Sequence, residues 1–429
     1  MKKIASRSLL LLVALLSLVS GCECSRHTPD TPDKYDQVLI LYSAGFNSLC
    51  NYLREDIQDL KSGYVPGQRD SKAFLVVSHL AASRGNYSTK TSPQLIRIYK
   101  NKKGIVFDTL KTYTGNILVR KEDMTDILSD IRTQFKSDHY GMVYSSHATG
   151  WLPPGYYDNP EYYERGGRAG SASAARPLPD GAVPYREPEE IPGAPEVKSL
   201  GQSRESDSVA YETDIVDFID AIPMHLDYLL LDACLAGGIE TAYQFKDKVD
   251  LIGFSQAEIL ADGFDYPKLA GRLLEGSTPN VEAVVDDYYQ QYTLPSSDKS
   301  ATISLVDCRR LDGLTSLCRD LFGKYRESIA GLDPGKVQRF YRTGHHWFYD
   351  LEDILVKAGI TADERKALTD ALSSCILYKA ATEYFLYNYG GFKIETFSGL
   401  SMYLPCNGSA FLDSYYKDLA WNKATLLVD

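Results

Sequence analysis

The amino-acid sequence predicts an α/β fold with a mostly parallel central sheet, and three observations carry that expectation. Apolar runs of strand length, Gln37–Tyr42, Ala73–His79, Gly141–Ser146, Tyr228–Leu231 and Val249–Phe254, recur through the first two thirds of the chain. Segments of helical spacing stand between them, the alternation that builds parallel sheets. Two of the runs close on reactive side chains, His147 and Cys234, and such sheets gather their sites at the carboxyl ends of strands.

The elements follow in order. Asn47–Leu60 has the spacing of a helix, with Leu49, Leu53, Ile57 and Leu60 on one face. Gln94–Tyr99 alternates like an edge hairpin strand, and Met124–Phe135 is an amphipathic helix with Ile127, Ile131 and Phe135 inward. Beyond Trp151 the character changes. Pro153–Pro195 is rich in proline and glycine without apolar periodicity, which predicts a long insertion lacking packed structure. Val209–Ile222 and Ile239–Phe245 read as helices around the strand 228–231. From Thr302 the pattern is less regular: a strand at Ile303–Val306, helices at Leu314–Phe322, Phe348–Val356 and Glu364–Phe385, then Leu400–Leu404 and Tyr415–Trp421. The resulting division is 37–310 for the core, containing the 153–198 insertion, and 311–429 for a mixed C-terminal subdomain.

The first 21 residues stand apart from the fold. Lys2 and Lys3 precede an apolar stretch, Leu9–Leu18, that is too short for a stable membrane span. It ends in Leu18-Val19-Ser20-Gly21-Cys22, which resembles a bacterial lipobox and makes Cys22 the expected lipidation site and mature N-terminus. Residues 22–36 read as a polar tether. The expectation is an exported protein, lipid-anchored in the cell envelope at the outer membrane, facing the periplasm or the surface. A formal net charge of −11 argues against nucleic acid as a partner and agrees with a cationic substrate. Eight cysteines in 429 residues are too few for a disulfide scaffold, and whether Cys308 pairs with Cys318 stays open. No Cys/His spacing resembles a zinc site.

A thiolate attacks a carbonyl far better than a thiol, so a catalytic cysteine needs a base beside it. Alone, a Cys or His at a strand end most often packs; both at equivalent ends point to chemistry. Of seven histidines, His147 is the best partner for Cys234. His27 lies in the tether, His139 precedes a strand, His225 lies in a loop before one, and His345 and His346 fall in a later loop. Asp232, two residues before Cys234, points to the same side of an extended strand and suits a substrate guanidinium or ammonium. Gly237 and Gly238 are expected to let the backbone turn sharply into the next helix.

Asp232-Ala233-Cys234-Leu235-Ala236-Gly237 resembles the nucleophile motif of clostripain-related cysteine peptidases, and Ser146-His147-Ala148-Thr149-Gly150-Trp151 resembles their histidine motif. Ile40-Leu41-Tyr42 with Asn47, Ser255-Gln256-Ala257-Glu258, Gly263-Phe264-Asp265-Tyr266, Asp350-Leu351-Glu352-Asp353 and Gly399-Leu400-Ser401-Met402-Tyr403-Leu404-Pro405 are similar to further segments of that family, over about residues 37–425. The resemblance implies a caspase-like three-layer sandwich and an endopeptidase using a Cys234/His147 dyad without a metal. It implies an oxyanion site at the backbone N–H groups of Cys234 and Ala148, and a pocket for Arg or Lys at Asp232, with Glu258 and Asp262 as lesser contributors. Some relatives use calcium, although no Asp-rich loop here resembles an EF-hand site. The family usually has Gly after the histidine where this chain has Ala148, a harmless change only if the backbone there does not need positive φ.

The 153–198 insertion carries Arg165, Arg168, Arg176, Arg186 and Lys198. Relatives are often made as precursors that cut themselves after a basic residue between the two motifs, and a flexible exposed loop suits that role. The competing expectation is an inactive peptidase scaffold on the cell surface that binds peptides or glycans.

Overall fold

The computed structural model describes residues 32–87, 89–164, 178–186, 191–198, 203–206, 208–295, 297–342 and 347–429. The expected signal segment with Cys22, the arginines 165, 168 and 176, and the pair His345/His346 lie outside these. Nine strands form one sheet: β1 (Gln37–Gly45), β2 (Lys72–Leu80), β3 (Gln94–Asn101), β4 (Gly104–Thr112), β5 (Tyr140–Ser145), β6 (Leu226–Asp232), β7 (Val249–Phe254), β8 (Thr302–Asp307) and β9 (Ile376–Ala381). Their order is β9-β8-β7-β6-β5-β1-β2-β3-β4. The five central strands, from β7 to β2, run parallel, and an antiparallel pair extends the sheet at each side.

β1 and β5 are buried at every position, as strands covered on both faces must be. One covering layer holds α1 (Cys50–Asp59), α5 (Tyr266–Leu274) and α6 (Val281–Gln291), each packed on the next. The other holds α2 (Lys121–Gln134), α3 (Ile215–Ala221) and α4 (Ile239–Phe245), and continues through the terminal helix Ala420–Thr425 to α7 (Leu311–Ala330). This is the expected α/β sandwich. Cys308 and Cys318 are both buried free thiols.

Three helices differ from expectation, each for a local reason. Val209–Tyr211 is a short strand, and the helix begins only at Ile215, because Asp214 takes extended backbone and its side chain accepts from Asp217 N–H. Asp350 likewise starts the helix Leu351–Ala358 by accepting from Asp353 N–H at 3.0 Å, while Tyr349 and Asp350 pair with Ser401 and Met402. The helix expected over Glu364–Phe385 ends at Cys375. Ile376–Ala381 alternates partly buried and exposed residues, a period of two, and pairs with β8 as the edge strand.

The insertion also packs more than its composition suggests. Tyr156 is fully buried and stacks on Phe411 with centroids 5.5 Å apart, and Ala182–Pro184 pairs antiparallel with Val209–Tyr211. Aromatic side chains supply the burial that aliphatic periodicity would have signalled.

Candidate active site

β5 and β6 are parallel neighbours with Ser145 opposite Asp232, so the residues after each strand emerge side by side at one sheet edge. His147 and Cys234 both follow by two residues, and both are buried. The Cys234 Sγ accepts from Ile259 N–H at 3.0 Å. Ser48, held in the β1–α1 loop by the Asn47 turn, places its Oγ 3.3 Å from His147 Nε2. Burial lowers the His147 pKa to about 3; contact with the Lys198 backbone opposes this and the Lys198 charge adds to it. The imidazole is therefore neutral in this uncut form, and its burial weakens it as a base.

The glycines play a different part from the one expected. The left-handed turn after the thiol falls on Leu235, at φ +58°, and neither Gly237 nor Gly238 has positive φ. Gly237 is needed for close approach instead: a Cβ there would stand 2.6 Å from Gln256 N and 2.7 Å from Ser255 C. Ala148 is absent from the residues of positive φ, so alanine follows the histidine without backbone strain.

Lys198 is not an exposed loop residue; it is wholly buried. Residues 196–198 lie antiparallel to 259–261 through one isolated bridge. Lys198 N–H donates to Ile259 O at 2.8 Å, Ala261 N–H donates to Glu196 O at 2.8 Å, and Val197 bridges to Leu260. The Lys198 ammonium donates to Asp232 Oδ2 and to Ser145 Oγ at 3.1 Å, and Asp56 Oδ2 lies 3.7 Å away. Asp232 Oδ2 also accepts from Ser145 Oγ (2.8 Å) and Tyr266 Oη (2.7 Å). Burial alone would lower the Lys198 pKa, but Asp232 and Asp56 together hold it above the usual lysine value. Gly263, at φ +63°, makes room for this pairing, since a Cβ would come within 2.5 Å of Nζ and 2.6 Å of Asp232.

Of the other acidic residues expected here, Glu258 is turned to a two-toothed ion pair with Arg342, which occupies its carboxylate. Asp262 is exposed and acts on the pocket only through its charge, helping to raise the Asp56 carboxyl. Asp56 was missed by sequence reasoning. The available signal was a carboxylate on the apolar face of α1, between Leu53 and Ile57. Among the described residues no group of three His, Cys, Asp or Glu side chains could hold a metal ion.

The sequence profile of the Clostripain family (peptidase family C11) matches residues 193–426. No curated protein matches. Among solved structures, an inactive zymogen C11 protease from Parabacteroides distasonis is 24% identical, with a TM-score of 0.71 over 92% of this chain and 99% of that one. Iotapain, a secreted C11 cysteine protease from Bacteroides thetaiotaomicron, is 23% identical, with a TM-score of 0.70 over 92% and 100%. A secreted C11 cysteine protease from the same organism, in complex with an irreversible peptide inhibitor, is 21% identical, with a TM-score of 0.70 over 91% and 99%.

Proposed function

Because the chain belongs to the Clostripain family and is a cysteine peptidase, we propose that Cys234 and His147 are its catalytic dyad, that it cuts after Arg or Lys, and that its first substrate is its own chain after Lys198. The observation that carries this reading is the seating of residues 196–198. They are held in the manner of a peptide substrate, by antiparallel backbone pairing to the segment 259–261, with a basic side chain on the buried Asp232 carboxylate.

The proposed steps are those of a thiol and an imidazole acting together. His147 takes the Cys234 proton, and Sγ adds to the carbonyl carbon of the basic residue. The oxygen gathers negative charge against the N–H groups of Cys234 and Ala148. His147 then passes its proton to the leaving amine as the C–N bond breaks. Water, deprotonated by the same imidazole, releases the acyl group from sulfur and restores the thiol. Asp232 fixes the substrate side chain and takes no proton in these steps.

Mass spectrometry of the incubated wild-type chain should find a break between Lys198 and Ser199, and the product should cleave Arg and Lys reporter peptides but not Asp ones. An intact chain whose Cys234 resists a thiol-reactive peptidyl inhibitor would instead favour the binding scaffold. The lipobox supports export and anchoring through Cys22. Metabolic fatty-acid labelling should therefore be lost in Cys22→Ala, and retention of label would remove that assignment.

A further inference from the structure

The Lys198 ammonium sits between two carboxylates, and it satisfies only one of them. Asp56 lies buried on α1, and its Oδ2, 3.7 Å from Nζ, has no hydrogen-bond partner. Asp232 Oδ1, also buried, has none either. Two unpartnered carboxylate oxygens facing one cation make a costly arrangement, because a buried acceptor without a donor has lost its water for nothing. Lysine does not mend it: its ammonium donates to Asp232 Oδ2 and Ser145 Oγ, and at 3.7 Å Asp56 Oδ2 stays beyond hydrogen-bond reach.

Arginine differs at this point. Its guanidinium carbon falls near where lysine carries Nζ, and the terminal nitrogens reach about 1.3 Å further, one C–N bond. That extension spans the gap to Asp56, and the planar fork of five N–H donors can serve both carboxylates at once. We infer that Asp56 is a specificity-determining residue of the pocket, joining Asp232 to select Arg over Lys before the cleaved bond. This rests on the substrate pocket proposed above and goes beyond it, since there Asp232 alone recognises the cation.

The electrostatics agree. Burial raises the Asp56 carboxyl, Lys198 lowers it, and Asp232, Asp262 and Asp59 raise it again, while the hydroxyls of Tyr266 and Tyr292 also lie in its field. Even beside the ammonium Asp56 is raised to about 8, and an empty pocket, without that cation, holds the proton more firmly. Capture of a basic side chain improves as pH rises through this titration.

The test compares wild type with Asp56→Asn, each full chain opened in trans by tagged active enzyme that is then removed, with active sites counted by a thiol-reactive inhibitor. Wild type should favour Arg over matched Lys peptides in kcat/KM by roughly tenfold or more. Asp56→Asn should lose about 10- to 100-fold on Arg, mostly in KM, and only a few-fold on Lys. The alkaline rise of KM-linked activity on Arg should shift as well, which a purely structural role would not move. In the uncut chain, Lys198→Arg should speed self-cleavage, and the gain should vanish in the Asp56→Asn background, so the inference stays testable if opening in trans fails. An unchanged Arg/Lys ratio in Asp56→Asn, or an Lys198→Arg gain that survives it, overturns the inference and leaves the basic pocket standing. Failure of wild type on both Arg and Lys peptides removes the pocket reading itself.

Discussion

Cys234→Ala is expected to remain a single uncut chain at Lys198 and to hydrolyse Arg or Lys reporter peptides roughly 10⁴-fold or more slowly than wild type. In the proposed mechanism the sulfur is the atom that forms the covalent intermediate. The fold should tolerate the change. Cys234 is fully buried, but the substitution removes one atom and the hydrogen bonds with Ile259, accepted from its N–H at 3.0 Å and donated to its O at 3.5 Å, at a cost of about 2 kcal/mol. A denaturation midpoint close to that of wild type, together with a silent enzyme, separates chemistry from folding. Timed electrophoresis with peptide assays reads both halves. Self-cleavage in Cys234→Ala at the wild-type rate would remove the thiol from the mechanism.

Lys198→Met should have the largest effect on stability. It keeps the length and apolar stem of the side chain but deletes the cation between Asp232 and Asp56. Removing one partner of a buried ion pair typically costs about 3–5 kcal/mol, because the remaining charge is left without compensation. The segment 196–198 should then dock poorly, and the chain should not be cut after residue 198. The sign of the pH effect follows from Asp56, whose carboxyl burial already drives upward to about 8. An acid with a raised folded pKa contributes stability that is present at low pH and lost as pH rises through that value. The Asp56 share of the Lys198→Met deficit should therefore be absent well below pH 8 and grow as pH rises through that value, read as urea midpoints. Lys198→Arg keeps the charge and should keep both docking and cleavage. A deficit in Lys198→Met that does not grow with pH would show that the carboxylates are not what holds the segment.

The parts of this site visible in the chain were those that local sequence controls. Each strand that leads to His147 or Cys234 is an apolar run with its reactive group two residues beyond its end, and Asp232 closes the strand that leads into Cys234. The parallel sheet followed from the alternation of strands and helices. Asp56 was hidden by distance, since only the folded chain brings α1 against a strand end 176 residues away. Lys198 was hidden by its setting. A proline-rich stretch reads as exposed, and nothing local announces that its last residues pair with 259–261. The edge strand Ile376–Ala381 was mistaken for helix because it follows a real helix directly at Cys375.

The pairing of residues 196–198 with 259–261 also bears on timing. A break after Lys198 does not detach that residue: it stays joined, through the insertion, to the strand that carries His147. The freed end is a tethered competitor, and a short tether gives an effective concentration in the millimolar range. Ala182–Pro184, paired with Val209–Tyr211, shortens the leash further. If the chain is cut there as proposed, reporter peptides must compete with this end, so cleavage should set in only at concentrations high enough to displace it.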